Sequence, residues 1–293
     1  MRIGLFLLTN IAVVFVASIT MKLLGIEPYL QQSGLNLTSL LIFCAIIGFS
    51  GSLISLFISK WMAKRSTGTK IIENPSTPDE RWLFETTREL AAKANIDMPE
   101  VGIFPAQESN AFATGWNKNK ALVAVSEGLL QRFDRNEARA VLAHEIGHVA
   151  NGDMITLSLM QGVVNTFVMF FARIIGYTVD RVVFKNERGH GIGFYVVTIV
   201  AEIVLGILAS LIVRKFSRYR EYRADHAGAT LADKQSMISA LDRLRKEQQA
   251  SIPSSMPDTL QAFGIRGGMK QRLGKLMATH PSLEDRIRAL QAL

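Results

Sequence analysis

Two histidines four residues apart enclose a glutamate in the run Val141-Leu142-Ala143-His144-Glu145-Ile146-Gly147-His148-Val149-Ala150. On a helix that spacing puts both imidazoles on one face, about one turn apart, within reach of a single tetrahedral Zn²⁺. Glu145 projects beside them and can take a proton from water whose pKa the metal lowers to about 7. This is the H-E-x-x-H pattern of metal-assisted peptide hydrolysis. The plainer reading is a helix with two solvated histidines and a surface glutamate. Apolar residues on both sides of the trio favour a buried helix, and two of the chain's 5 histidines fall here.

A catalytic zinc needs a third protein ligand and an open fourth position. No third histidine follows at the short metzincin spacing. A glutamate on a second helix is the other solution, and Glu221-Tyr222-Arg223-Ala224-Asp225 offers one. Asp225, on the same helical face, could then accept an N–H from a ligating histidine and fix its tautomer. Equally, this segment could be an interfacial helix whose acids offset the neighbouring arginines. Residue types and spacing leave both readings open.

The elements that must position these groups include membrane spans. The chain has 293 residues, 48% hydrophobic and 20% charged, with a mean hydropathy of +0.20. A water-soluble surface needs more charge than that. Crossing a hydrocarbon core takes about 20 apolar residues, and four runs qualify: Ile3–Leu24, Thr38–Ile58, Ile155–Tyr177 and Ile192–Val213. The last two contain Arg173 and Glu202, which are expected to pair across adjacent helices. The first run is too long for a typical signal-peptide core and is expected to be retained.

The loop Gly25–Leu37 has no Lys or Arg and should face outward. Lys60, Lys64, Arg65 and Lys70 follow the second run, and Arg214, Lys215, Arg218, Arg220 and Arg223 follow the fourth, so both clusters should be cytoplasmic. Arg181, Lys185 and Arg188 after the third run oppose that bias. Two crossings between His144 and Glu221 return the chain to one side, as a shared site requires. The net charge of +8 suits anionic lipid, and no basic stretch interleaved with aromatics points to nucleic acid. The single cysteine, Cys44, excludes an internal disulfide and a CxxC motif.

Between Asn74 and Asp153 the composition turns globular, without repeats or low-complexity tracts. Pro75-Ser76-Thr77-Pro78 opens a helix over Glu80–Asn95. Val101–Phe104 and Ala121–Val125 read as strands, with Asn110–Gly115 an edge strand between them. Ser126 caps a helix through Leu130. Asp134 with Glu137 makes a capping-box start for the motif helix, Arg135–Asn151.

Together, His144-Glu145-Ile146-Gly147-His148, the following Asn151-Gly152-Asp153, and Glu221-Tyr222-Arg223-Ala224-Asp225 resemble the HtpX group of bacterial membrane proteases, relatives of the CAAX prenyl proteases. The likeness covers essentially the whole chain. It implies His144, His148 and Glu221 as ligands of one Zn²⁺, Glu145 as general base, and Asp225 behind a ligand. His280-Pro281 with Arg286 resembles a C-terminal signature of the wider family. His280 could donate to an oxyanion, or Pro281 could simply mark a helix boundary with Ser282 and Asp285 capping the next helix. Asn110, Ala111, Phe112 and Ala113 could bind substrate as an added strand, or form an ordinary edge.

The expected architecture is α+β: a polytopic helical membrane protein with about four spans and a zincin-like cytoplasmic metalloprotease domain. Residues 1–59 carry two spans, and 60–154 the first part of the catalytic domain. Residues 155–213 carry two further membrane segments, and 214–293 supply the third ligand. The resemblance implies a zinc endopeptidase of the bacterial inner membrane. It would act on damaged or misfolded membrane proteins, or other unfolded polypeptides, in stress response and quality control. Two rivals are a chaperone-like binding protein with structural zinc, for which Glu145 is dispensable, and a hydrolase of lipidated peptides.

Overall fold

The computed structural model describes residues 36–187, 189–249 and 280–293. The span expected at Ile3–Leu24, and all but the end of the loop after it, lie outside the described residues. The remainder is mostly helical with one small sheet. Three described helices are long and apolar enough to cross a membrane: α1 (Leu37–Thr67), α5 (Asp153–Val182) and α6 (Ile192–Leu231). They contain the second, third and fourth apolar runs, and each is longer than its run.

The chain divides into two compact units, Met1–Leu53 with Leu159–Ala209, and Ile54–Ser158 with Ser210–Leu293. In the first, α1 and α5 approach closely through small residues. A Cβ on Gly48 would lie 2.7 Å from Thr166 Oγ1, and one on Gly162 would lie 2.7 Å from Ser52 Oγ, the kind of contact that membrane helices use where lipid supplies no hydrophobic drive. Cys44 is fully buried against Phe170, Ile174 and Tyr177. Arg173 donates to Glu202 at 3.0 Å, so the expected pairing between α5 and α6 is present. On these helices Ile42, Phe43, Ile46, Ile199, Ile203 and Ile207 are exposed, as lipid-facing positions would be.

The second unit holds the sheet, β1 (Lys70–Ile71), β2 (Glu100–Phe104), β3 (Ala111–Thr114) and β4 (Leu122–Ser126), in the order β1-β2-β4-β3. β2 and β4 are parallel, and the two outer pairings are antiparallel. Around it lie α2 (Pro78–Lys93), α3 (Glu127–Arg132), α4 (Arg135–Asn151), α7 (Lys234–Gln249) and α8 (Leu283–Gln291). Helix starts follow local chemistry. Thr77 and Glu80 form a capping box on α2 behind Pro78, Ser126 caps α3, and Asp134 with Glu137 caps α4. Glu137 also accepts from Ser239 of α7 at 2.7 Å, which ties the start of α4 to a distant helix.

The alternation along β3 puts Ala111 and Ala113 in the core shared with α4. Phe112 joins Phe104, Leu122 and Ala124 on the other face. A one-residue slip would exchange those faces, so this register is set by the apolar pattern.

Candidate metal centre

α4 is buried along almost its whole length, including His144, Glu145 and His148, which removes the solvated-histidine reading. Its close neighbour is the second half of α6. A Cβ on Gly147 would lie 2.7 Å from the Cβ of Ala227, so the glycine lets the two helix backbones meet and brings Glu221 to the histidines. α6 runs without interruption from Ile192 to Leu231, so one helix carries both the fourth apolar run and the Glu221–Asp225 segment.

One ligand atom from each of His144, His148 and Glu221 lies within 4.8 Å of the others, and all three residues are buried. His148 Nε2 is 3.3 Å from Glu221 Oε1, and His144 Nε2 is 3.7 Å from Oε2. The other ring nitrogens face aspartates: His144 Nδ1 is 2.9 Å from Asp225 Oδ1, and His148 Nδ1 is 2.8 Å from Asp153 Oδ2. Each Nδ1–H donated to a carboxylate leaves Nε2 with its lone pair turned inward. Among the described residues, His144 Nε2 and both carboxyl oxygens of Glu145 are buried without a hydrogen-bond partner. Two imidazole nitrogens, one carboxylate and an orphaned buried acceptor are the donor set that suits zinc.

Asp153 is reached through Gly152, which ends α4 in the left-handed region at φ 64°, a conformation natural to glycine. The chain turns there and Asp153 starts α5 beneath His148. Arg223 bonds Asp153 Oδ1 at 2.5 Å, and Arg220, buried, donates to the Asp153 carbonyl at 3.1 Å. On the other side Arg286, fully buried, grips Asp225 through Nε at 2.8 Å and Nη2 at 2.5 Å. Removing one partner of such a buried pair costs about 3–5 kcal/mol. In the sequence Arg220 and Arg223 serve only as orientation signals and Arg286 as part of a signature. All three hold aspartates of the site.

His280 Nδ1 lies 2.8 Å from Glu221 Oε2, so the structure sets it against the one acidic member of the cluster. Asn110, Ala111, Phe112 and Ala113 are all buried. Asn110 precedes β3 and exchanges backbone and side-chain bonds with Ser126. β3 is the last strand of the sheet, and no described strand pairs with its outer edge.

Burial shapes the charges. It lifts Glu145 to about 8, a rise that Glu221 reinforces and that His148 and Arg286 oppose. His144 is held below the ordinary imidazole value by burial, against the pull of Asp225. Burial works against charging His148 too, but Asp153 and Glu221 outweigh it and raise it to about 10. Glu221 would rise on burial alone, yet His280 and His148 hold it well below the usual range.

Residues 78–293 match the profile of Peptidase family M48. The chain belongs to peptidase family M48. Curated M48 relatives named Protease HtpX include one from Hahella chejuensis, 68% identical over 291 residues and covering 99% of both chains. Another, from Pseudomonas putida strain GB-1, is 67% identical over 293 residues, again with 99% of each covered. Among solved structures, the crystal structure of S. mikatae Ste24p shares the fold with a TM-score of 0.61 at 18% identity. That match covers 97% of this chain and 66% of Ste24p, so the chain spans about two thirds of that protein's length. The resemblance to the HtpX group thus holds, and this M48 chain is a metalloprotease acting on polypeptides.

Proposed function

We propose that the chain is a zinc-dependent endopeptidase of the bacterial inner membrane, with its catalytic part facing the cytoplasm, that degrades damaged or misfolded membrane proteins. The observation that carries this reading is the buried His144, His148 and Glu221 cluster with the carboxyl of Glu145 unpaired beside it. His144 and His148 through Nε2, and Glu221 through its carboxylate, would hold one Zn²⁺. Bound there, zinc would supply Lewis-acid polarisation of the scissile carbonyl and ionise water near neutral pH.

Glu145 takes the proton of the attacking water on a carboxyl oxygen and delivers it to the leaving amine. Asp225 and Asp153 hold the two imidazoles in the tautomer that keeps Nε2 for the metal. His280 steadies Glu221 through Nδ1, and donation to the developing oxyanion would come from Nε2. A substrate segment pairing with the outer edge of β3, along Asn110–Ala113, would be bound through its main chain. That mode tolerates varied side chains, as clearance of damaged chains requires. Residues 60–154 and 214–293 form the catalytic part, and four spans, Ile3–Leu24 included, hold it to the membrane.

The test is Glu145→Gln, purified in detergent or liposomes. Zinc content should stay at one per chain while cleavage of an unfolded test protein falls by at least about 100-fold. Undiminished cleavage would leave the zinc structural and this reading wrong.

A further inference from the structure

The loop joining β3 to β4 has no part in the chemistry above. It opens at Gly115, φ 143°, where a Cβ would lie 2.9 Å from Ala121 Cα. Only glycine makes that turn readily, and the next side chain, Trp116, is thrown outward. Trp116 is 37% exposed and lies against Phe57 of α1, itself 57% exposed, with ring centroids 5.7 Å apart. Lys120 Nζ stands 5.3 Å from the Trp116 ring centre, and Lys118 is exposed beside it. Two large open aromatics in contact are a poor surface to offer to water.

The neighbours fix the level of this loop. Phe57 sits at the end of the uncharged run of α1, followed at once by Lys60, Trp61 and Lys64. Trp61 is 61% exposed, whereas Lys60 and Lys64 are both paired with Glu100. On its other side the loop, through Thr114 and Lys118, shares a small crevice with Met154 and Ile155, where the apolar run of α5 begins. All of these residues belong to one compact unit. The loop therefore lies where one candidate span ends and the next starts. Tryptophan belongs at that depth, with its ring among acyl chains and its N–H among headgroups, and lysines there meet anionic lipid.

We propose that the β3–β4 loop is a bilayer-interface anchor. Trp116, with Phe57 and Trp61, seats at the boundary of headgroups and acyl chains, and Lys118 and Lys120 face anionic lipid phosphates. The anchor rests on the membrane reading of α1 and α5 and is independent of the chemistry at Glu145.

The chain has 3 tryptophans, so Trp61→Phe with Trp82→Phe leaves Trp116 as the only emitter. The full chain is reconstituted in phosphatidylcholine–phosphatidylglycerol vesicles. Trp116 emission should be quenched strongly by lipids brominated near the headgroup, less by lipids brominated near the chain end, and weakly by aqueous acrylamide. Strong acrylamide quenching without a bromine effect would overturn the proposal. Adding Lys118→Glu and Lys120→Glu should reduce the shallow bromine quenching by about half in the anionic vesicles; no change would remove the lysines from the anchor. Should the single-tryptophan chain not fold, a nitroxide on Trp116→Cys in a Cys44→Ala background reads the same depth from oxygen against nickel accessibility. Exposure to nickel alone would again overturn it. Neither readout involves cleavage, so its failure is separable from failure of the protease reading.

Discussion

His148 and His144 are each backed by an aspartate, and each aspartate by an arginine: Asp153 with Arg223, and Asp225 with Arg286. The two sides differ in depth, since Arg286 is fully buried and Arg223 is one third exposed. Asp153 is the cleaner place to test orientation, because its loss leaves a partner that water can solvate. Asp153→Ala should weaken zinc binding by about 10–100-fold, measured by chelator competition. Unchanged affinity would mean that His148 is oriented by something else. His144, Glu145 and His148 were legible in the sequence because one helix repeat places them. Asp225 was legible for the same reason, four residues after Glu221. The role of Asp153 was not, because it depends on the left-handed turn at Gly152, and that of Arg286 was not, because nothing local links it to Asp225, 61 residues earlier.

Among elements, α4 is held from several sides. Beyond Glu137 and Ser239, Arg139 reaches Glu89 of α2 with both guanidinium nitrogens, at 2.8 and 2.7 Å. Arg139 and Lys93 lower Glu89 from 4.5 to about 2. A carboxylate whose folded pKa is depressed contributes stability above its unfolded pKa and loses it as pH falls through the folded one. That contribution should therefore fade between about pH 4.5 and 2. Glu89 is 49% exposed, so solvent screening limits it to at most about 1 kcal/mol. Thermal melts in detergent should show a shallower acid slope for Glu89→Gln; an identical slope would discount the pair. Arg173 and Glu202 present the opposite case, in an apolar setting. Glu202→Gln should lower membrane insertion or folding yield while the protein that does fold keeps its cleavage rate. Selective loss of cleavage would assign Glu202 a role that its distance from the cluster in sequence does not suggest. Capped helices such as α2 and α4 were readable from Thr77, Glu80, Asp134 and Glu137. β1 was not, because two residues become a strand only by pairing with Ile103 and Gly102. The end of α6 is not legible from hydropathy, because charge begins at Arg214 while no proline interrupts the helix before Leu231.

For the molecule as a whole, a metal held at the cluster would couple binding to stability. A ligand that binds only the folded state at 100 times its Kd adds about 2.7 kcal/mol. Removing zinc with a chelator should therefore lower the melting temperature of the catalytic part, and restoring zinc should recover it. Glu221→Gln should abolish most of that difference; a full zinc shift in that variant would place the metal elsewhere. The membrane character was legible because hydropathy needs no partner, whereas the arginines that lock the site are defined by residues far along the chain. That long-range arrangement also sets a schedule. Arg223 meets an aspartate made 70 residues before it, and Arg286 follows His144 by 142 residues. At about 5–20 residues per second of synthesis, the interval to Arg286 is on the order of 10–30 s. A chain made only as far as Asn151 holds the H-E-x-x-H helix without the groups that complete it. On the proposed reading the enzyme would stay latent through most of its own translation and become competent only once α8 brings Arg286 to Asp225.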